Sequence, residues 1–573
     1  MTSGHRYDEG DKLLTGFRFY FLVIIAVIVG SNQLHTQVDL VPADHEVYNF
    51  LKRMQVRGIL DRHYSTAYLP YDRQTVGSKL HYVSERRERL SKSENAALQR
   101  YLIEFSYEVG LPREERISLW DEGLRGLFDP RQKYLYRYED DTAVLGINLY
   151  LSGESQYWEL GTIPDNTTSL WRLGGGVSGT LGGWFGFSLN AVNGYVGGSR
   201  ELGRQNIEVD RTYKIEIPDS RFFDITRGHV RAANEWGNIT IGRERLIGGS
   251  GQQRGALLFS DFAPKIDYIS LNLKYKRFFL NFFHGWILGE EELTLIEDNI
   301  GVRSLADKYL SFHRFGAYFF DSRLQVAVSE IIVYGDRGIE IAYLNPFLFF
   351  KSVEHSLRDR DKAMIALDLQ YRPAEGLELY GDLLIDDLDF EKFGTNWYGN
   401  KYAFRLGGIV TPVLAGIQNA MFSADYVRIQ PYVYTHRIPR NSYEHAGFPI
   451  GNPVGPNSDM WDVRWNQLLS GRSSVELYFQ RIRKGHNVTD EDGNLIRNVG
   501  GDIAQGFRLE DSTEVYFLDG NLEKTGVWGL TVSYEPFHQF FLTAGYEYRQ
   551  REKTWQQQTF SEHFMFGKLV ITL

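Results

Sequence analysis

The chain reads as mainly β: a large antiparallel transmembrane β-barrel of about 18 strands behind a small N-terminal α-helical segment. Three observations lead there. Within residues 363–390, Ala363, Ile365, Leu367, Leu369 and Tyr371 are apolar at every second position, and Leu377, Leu379, Leu383 and Ile385 resume the pattern. Period two means strand, and Pro373 and Gly376 punctuate the turn between the runs. Each strand is about ten residues long, enough to cross a bilayer when tilted. The other face carries Asp368, Glu378, Asp382 and Asp386, so carboxylates point to a lumen and aliphatics to lipid. The second observation is composition. With 35 Tyr, 37 Phe, 11 Trp and 57 Gly against 16 Pro, the chain suits long sheets with aromatic girdles. The third is that no stretch beyond the N-terminal region holds the roughly eighteen apolar residues of a membrane helix. The mean hydropathy of −0.34 fits a barrel, since only alternate residues meet lipid. The alternative is a soluble β-sandwich with one wet face.

The net charge of −10 shows no footprint of a nucleic-acid binder. The absence of cysteine excludes disulfides, Cys-ligated zinc, thiol catalysis and a lipoprotein anchor. Residues 19–29 form an unbroken apolar run behind Lys12 and Arg18 and ahead of Gly30 and Ser31, as in a secretory signal. Residues 1–38 are therefore read as signal peptide and lead, 39–128 as an α-helical periplasmic segment and 129–573 as the barrel. Sec-type export to the outer membrane of a Gram-negative-type bacterium follows.

In the helical segment, Val47, Tyr48, Leu51 and Met54 recur at helical spacing, with Asp44 as N-cap and Gly58 as stop. Val76, Leu80 and Val83 mark a second helix. Ala97, Leu98, Tyr101, Leu102 and Phe105 mark a third, with Glu94 near its start. The charged run 85–89 is solvated surface, or else a docking face for a periplasmic partner.

From about residue 142 the period changes to two. Strands are expected at 143–151, 169–178, 181–196, 229–235, 239–243, 266–275, 277–286, 309–319, 323–334, 402–411, 421–429, 474–481, 527–535, 539–549 and 564–573, besides the hairpin. Residues 201–219, 439–465 and 487–511 are read as long loops, the last two extracellular. Leu573 ends the last strand where an aromatic residue is usual.

The segments IGRERL, GALLFSDFAPKIDYISL, KYLSFHR, VSEIIVYG, YLNPF and GDLLIDDLDF within residues 239–389 resemble the Wzi family of outer-membrane capsule-assembly proteins, as does VPADHEVYNFLKRMQVRGIL near the start. The resemblance implies an 18-stranded barrel with associated helices that holds capsular or exopolysaccharide at the cell surface. It implies no catalysis and no cofactor. The motif residues Arg243, Asp261, Arg314, Glu330, Glu354, Asp382, Asp386 and Asp387 either meet saccharide hydroxyls or pair ionically in the lumen, and pairing is the simpler reading. Tyr432, Tyr434, Tyr443 and Trp461, with Phe448, are the candidate sugar platforms in and near a long loop.

Other chemistries find less support. Residues 174–179 match G-x-G-x-x-G outside any βαβ context. Ser250 lies in Gly-Gly-Ser-Gly and not in G-x-S-x-G. Asp386 and Asp387 are neighbours on a strand and point to opposite faces. His313 has no second histidine at metal-ligand spacing. The competing function is a diffusion porin. Its discriminator is whether the lumen is filled. Leu379→Arg is expected to damage assembly more than Glu378→Gln.

Overall fold

The structure is a computed structural model. It describes residues 39–573 except 61–62, 160–165, 218, 252–254, 297–299, 359, 413–416 and 418. The apolar run at 19–29 lies outside the described residues.

Eighteen antiparallel strands close into a barrel. In chain order they are β1 (Ala143–Glu159), β2 (Thr167–Leu181), β3 (Phe185–Gly198), β4 (Phe222–Ala233), β5 (Gly237–Glu244), β6 (Ile266–Tyr275), β7 (Phe278–Ile296), β8 (Ile300–Phe319) and β9 (Leu324–Gly335). They continue with β10 (Lys362–Ala374), β11 (Leu377–Asp387), β12 (Lys401–Val410), β13 (Ala420–Ile429), β14 (Ser458–Ser470), β15 (Ser473–His486), β16 (Asn521–Phe537), β17 (Phe540–Lys553) and β18 (Gln558–Thr572). Each strand pairs with its chain neighbour, and β18 closes on β1 with Ile571 opposite Leu151. Closure leaves no sheet edge to be satisfied, which a lipid environment demands. One end carries short connections such as 276–277, 375–376 and 538–539. The other carries the long ones, 199–221, 245–265, 336–361, 388–400, 430–457 and 487–520.

The expected hairpin is present with the expected faces. Leu367, Leu379 and Leu383 are exposed on the outer wall, whereas Asp368, Glu378 and Asp382 are buried inside. Two readings change. Residues 458–465, taken as loop, open strand β14: Trp461 and Val463 face outward while Met460, Asp462 and Arg464 face inward. The Gly- and Pro-rich stretch just before it masks an alternation that is present. Residues 201–219 contain three single helical turns that bury Val209 and Ile215 against Leu170, Val196 and Phe223.

The helical segment forms α1 (Val47–Val56), α2 (Arg73–Ser84) and α3 (Lys92–Glu104) around one core that includes Tyr48, Leu51, Leu80, Leu98 and Phe105. Local sequence sets each boundary. Asp72 caps α2 by accepting from Thr75 N, and Ser91 with Glu94 forms a capping box on α3. Gly58, at φ +67, ends α1. The start of α1 differs from expectation: Glu46 holds the N-cap position, and the Val47 N–H donates to His45 Nδ1 at 3.2 Å. The segment sits on the short-turn end, where Lys52 pairs with Glu378 and Arg53 donates to the Asn419 carbonyl.

Candidate functional site

Two sets of residues enter the lumen from opposite ends and meet. From the helical segment, the connection between α1 and α2 brings in Tyr68 and Leu69. From the long-loop end, residues 245–251 and 255–265 fold inward. Tyr68 and Leu69 pair antiparallel with Gly248 and Ile247, and Gly249 N donates to the Ala67 carbonyl. Around this junction lies a core of Leu257, Phe259, Phe283, Phe312, Ile331 and Met364, and Tyr68 stacks on Phe312 at 6.0 Å. The apolar inward positions of β6–β13 are thus covered by protein. Without inserted loops they would face water.

The inward polar groups of the same wall are paired. Arg314 makes two hydrogen bonds to Asp368, at 2.8 and 2.7 Å, in a site almost closed to solvent. Asp382 accepts from Ser250 N at 2.9 Å and Ser250 Oγ at 2.6 Å, so that serine hydroxyl is buried and engaged. Asp386 accepts from Lys362 Nζ at 2.6 Å and Tyr434 N at 2.6 Å. Asp387, next in the chain, is exposed, as adjacency on a strand requires. Glu378, on the inner face as expected, is fully buried between Lys52 and Arg372.

Three of the remaining motif residues, Arg243, Glu330 and Glu354, are not lumenal, which corrects the expectation. Arg243 shares the outward register of exposed Ile241 and pairs with Asp267 on the next strand. Glu330 shares that of exposed Val328 and accepts from Phe350 N at 2.9 Å. Glu354, in the short helix Phe350–Ser356 that covers it, pairs with Lys351 at 2.6 Å. Asp261 is half-buried in the inserted loop.

The aromatic candidates also move. Tyr432, Tyr434 and Tyr443 are completely buried, and the hydroxyls of Tyr434 and Tyr443 donate to the Leu257 and Leu258 carbonyls at 2.7 and 2.8 Å. They tie loop 430–457 to loop 245–265 and present no open ring face. Phe448 is half-buried beneath the Arg211 guanidinium. Trp461 faces outward from β14 beside Tyr426, in the aromatic girdle.

Above the buried tyrosines, the long-loop end carries a different aromatic group that sequence reasoning missed. Loops 388–400 and 487–520 join through Tyr398 N to the Thr513 carbonyl at 3.0 Å and Val515 N to the Asn396 carbonyl at 2.7 Å. This brings half-buried Trp397, Tyr398 and Phe507 together, with Tyr398 stacked on Phe507 and Tyr432 beneath both. Lys392 lies 4.1 Å from the Trp397 ring, and Arg508 is fixed on Asp511 at 2.7 Å. The only sequence signal was two loops rich in Asn, Gly and aromatics, with nothing to say that they meet.

These features define an outer-membrane β-barrel whose lumen is filled along one wall and whose long loops form an ordered cap. Comparison with known proteins gives the family. The sequence model of the family described as capsule assembly protein Wzi matches residues 174–564, more than half of the chain, so the chain belongs to that family. The fold is similar to that of Escherichia coli Wzi, described as an outer membrane protein involved in group 1 capsule assembly and a carbohydrate-binding β-barrel. The TM-score is 0.55 at 12% identity, over 93% of this chain and 99% of that one. Pseudomonas aeruginosa OprD aligns with TM-score 0.41 and 11% identity over 75% of this chain and 94% of its own. P. aeruginosa OccK3 aligns at 0.40 and 12% over 80% and 99%. No curated protein matches the chain.

Proposed function

We propose that this barrel binds and retains capsular or extracellular polysaccharide at the cell surface and catalyses no reaction. The observation that carries the reading is the meeting of the two insertions inside the barrel, Tyr68–Leu69 against Ile247–Gly248. A diffusion porin uses its loops to narrow an open bore; here they are built into a core and their outer surface becomes the working face. Short turns face the periplasm and long loops the exterior in such barrels, so this reading takes the helical segment as periplasmic and the Trp397, Tyr398 and Phe507 group as external. A sugar ring offers a flat C–H face and a rim of hydroxyls. Aromatic faces beside Lys392, Arg508 and Asp511 match both. Each contact is weak, and a repeating polymer gains avidity by making many of them. The capsule-assembly family and the description of the Escherichia coli relative support this reading.

The test is a variant with Trp397, Tyr398 and Phe507 replaced by Ala. Cells carrying it are expected to shed polymer into the medium with total synthesis unchanged, while the protein keeps its heat-modifiable gel mobility. Large steady conductance of the pure protein in a planar bilayer, with polymer still on cells lacking it, would favour the porin instead.

A further inference from the structure

Three of the sequence segments singled out above, 308–314, 328–335 and 343–347, converge on the outer wall, away from both the lumen and the cap. The connection 336–361 between β9 and β10 turns back from the long-loop end and lies against β7–β9. Ser311 Oγ donates to the Tyr343 carbonyl at 2.8 Å, and His313 Nε2 lies 2.8 Å from Glu330 Oε2. The His313 ring stacks on Phe350 at 4.3 Å. Phe282, Tyr309, Ile332, Tyr334, Tyr343 and Phe350 form a buried core on what is otherwise the lipid-facing side.

Beside this strap lies a cavity of about 190 Å³, lined chiefly by Phe315, Val328, Phe347 and Leu348 and by the His313–Glu330 pair. It is smaller than the ~300–1,000 Å³ that encloses a drug-sized ligand, and its form suits one hydrocarbon chain laid along a wall. Its depth follows from register. The outward aromatics Tyr309 and Phe319 of β8 stand ten positions apart, roughly 25 Å of membrane height for a tilted strand, and Phe315 lies between them. The cavity therefore opens into hydrocarbon close to mid-depth, where the end of an acyl chain from the outer leaflet reaches. Where the strap returns to β10, Arg358 and Arg360 are exposed, with no ion-pair partner among the described residues. Lys362, two residues on, pairs with Val333 beside Tyr334, so both guanidinium groups stand at the level of lipid headgroups. A guanidinium suits phosphate.

We propose that strap 336–361 and the outer wall of β8–β9 form a lateral binding site for a phosphorylated lipid of the outer leaflet. One acyl chain lies in the cavity, and Arg358 and Arg360 hold the phosphate. The His313–Glu330 pair fixes the strap and does not touch the headgroup.

The full chain, purified in detergent, is titrated by native mass spectrometry with a diacyl phosphoglycerol lipid and, separately, with an uncharged diacyl glycolipid of equal chain length. The wild type is expected to retain the phosphorylated lipid preferentially. R358Q/R360Q is expected to lose about thirtyfold of that retention, the effect of two basic residues near an anionic surface. Val328→Trp, which fills the cavity with an apolar ring, is expected to lose retention of both lipids, whereas Leu383→Trp on the outer wall of β11 leaves both unchanged. Heat-modifiable mobility reports folding, and the arginine variant, lying outside the barrel wall, stands if Val328→Trp fails to fold. Equal retention of the two lipids by the wild type, unchanged retention in R358Q/R360Q, or a second copy of the chain cross-linked at Phe347–Phe349 in place of lipid would overturn the proposal.

Discussion

The wall formed by β5–β13 and the wall running from β14 through β18 to β3 follow one alternation and enclose different interiors. Along the first, inward residues such as Phe283, Phe312, Ile331 and Leu384 are buried against inserted loops, and its charges stand in closed pairs such as Arg314–Asp368. Along the second, the inward positions form a ladder of partly exposed charges. Arg549 meets Glu547 at 2.7 Å, and Arg551 lies 3.6 Å from Glu523. Their side chains keep up to about a third of their exposure, so water solvates them. A strand's inward face thus has no fixed character. It is core where another part of the chain comes to meet it and a wet lining where none does.

The sharpest test of this difference is loss of one charge from each wall. Arg314→Met leaves Asp368 charged and without its guanidinium in a dry site, at a cost of about 3–5 kcal/mol. Arg549→Met removes a partly solvated partner, at a cost below about 1 kcal/mol. Urea unfolding of the barrel in micelles, followed by gel mobility, measures both. Equal losses would mean that the two walls are equally dry.

The outer surface extends the comparison. Leu379→Arg places a charge toward lipid and is expected to cost about 2–4 kcal/mol if it stands near the midplane. Its neighbour Glu378, on the inner face, is buried with Lys52 and Arg372. Glu378→Gln therefore costs about 1–3 kcal/mol and loosens the helical segment, because an ammonium loses its counter-charge. Protease sensitivity at α1 distinguishes the two variants: it rises for Glu378→Gln, whereas Leu379→Arg lowers the yield of folded barrel.

This pair also shows what the sequence made legible. Period two placed Leu379 outside and Glu378 inside correctly, because alternation is a local property of the chain. It could not say that Glu378 is dry, because that depends on Lys52, more than three hundred residues earlier. The same limit misplaced the tyrosines. Tyr432, Tyr434 and Tyr443 sit in a loop rich in turn formers, which reads as exposed, yet the loop enters the lumen and buries them. Glu330 looked lumenal because charges on a barrel strand usually are. Its register with Val328 placed it outside, but aromatic and aliphatic residues on both faces of β8 and β9 blurred that signal. The helices of the N-terminal segment were readable because Glu94 and Gly58 mark their ends within a turn.

The smallest expected effect concerns the segment that supplies one of the two lumenal insertions. His45 and Glu104 are 2.8 Å apart, joining the start of α1 to the end of α3. Burial opposes the charge on His45, but Glu104 outweighs it, so its pKa is raised above the ordinary histidine value. Burial likewise opposes charge on Glu104, and His45, Arg73 and Arg100 together hold it down at about 2. A raised histidine contributes stability that is complete below its unfolded pKa, near 6.5, and lost as pH rises through the folded value. A depressed glutamate contributes above its unfolded pKa, about 4.5, and loses that contribution as pH falls toward 2. The segment is therefore held most firmly between about pH 4.5 and 6.5. Hydrogen exchange at α1 and α3 is expected to show protection, corrected for intrinsic exchange, falling as pH rises from 6 to 8.5, with strands of the wet wall, far from His45, unchanged. His45→Gln should flatten that dependence. A profile that stays as steep in His45→Gln would place the titrating group elsewhere and separate the pH response from the docking of this insertion.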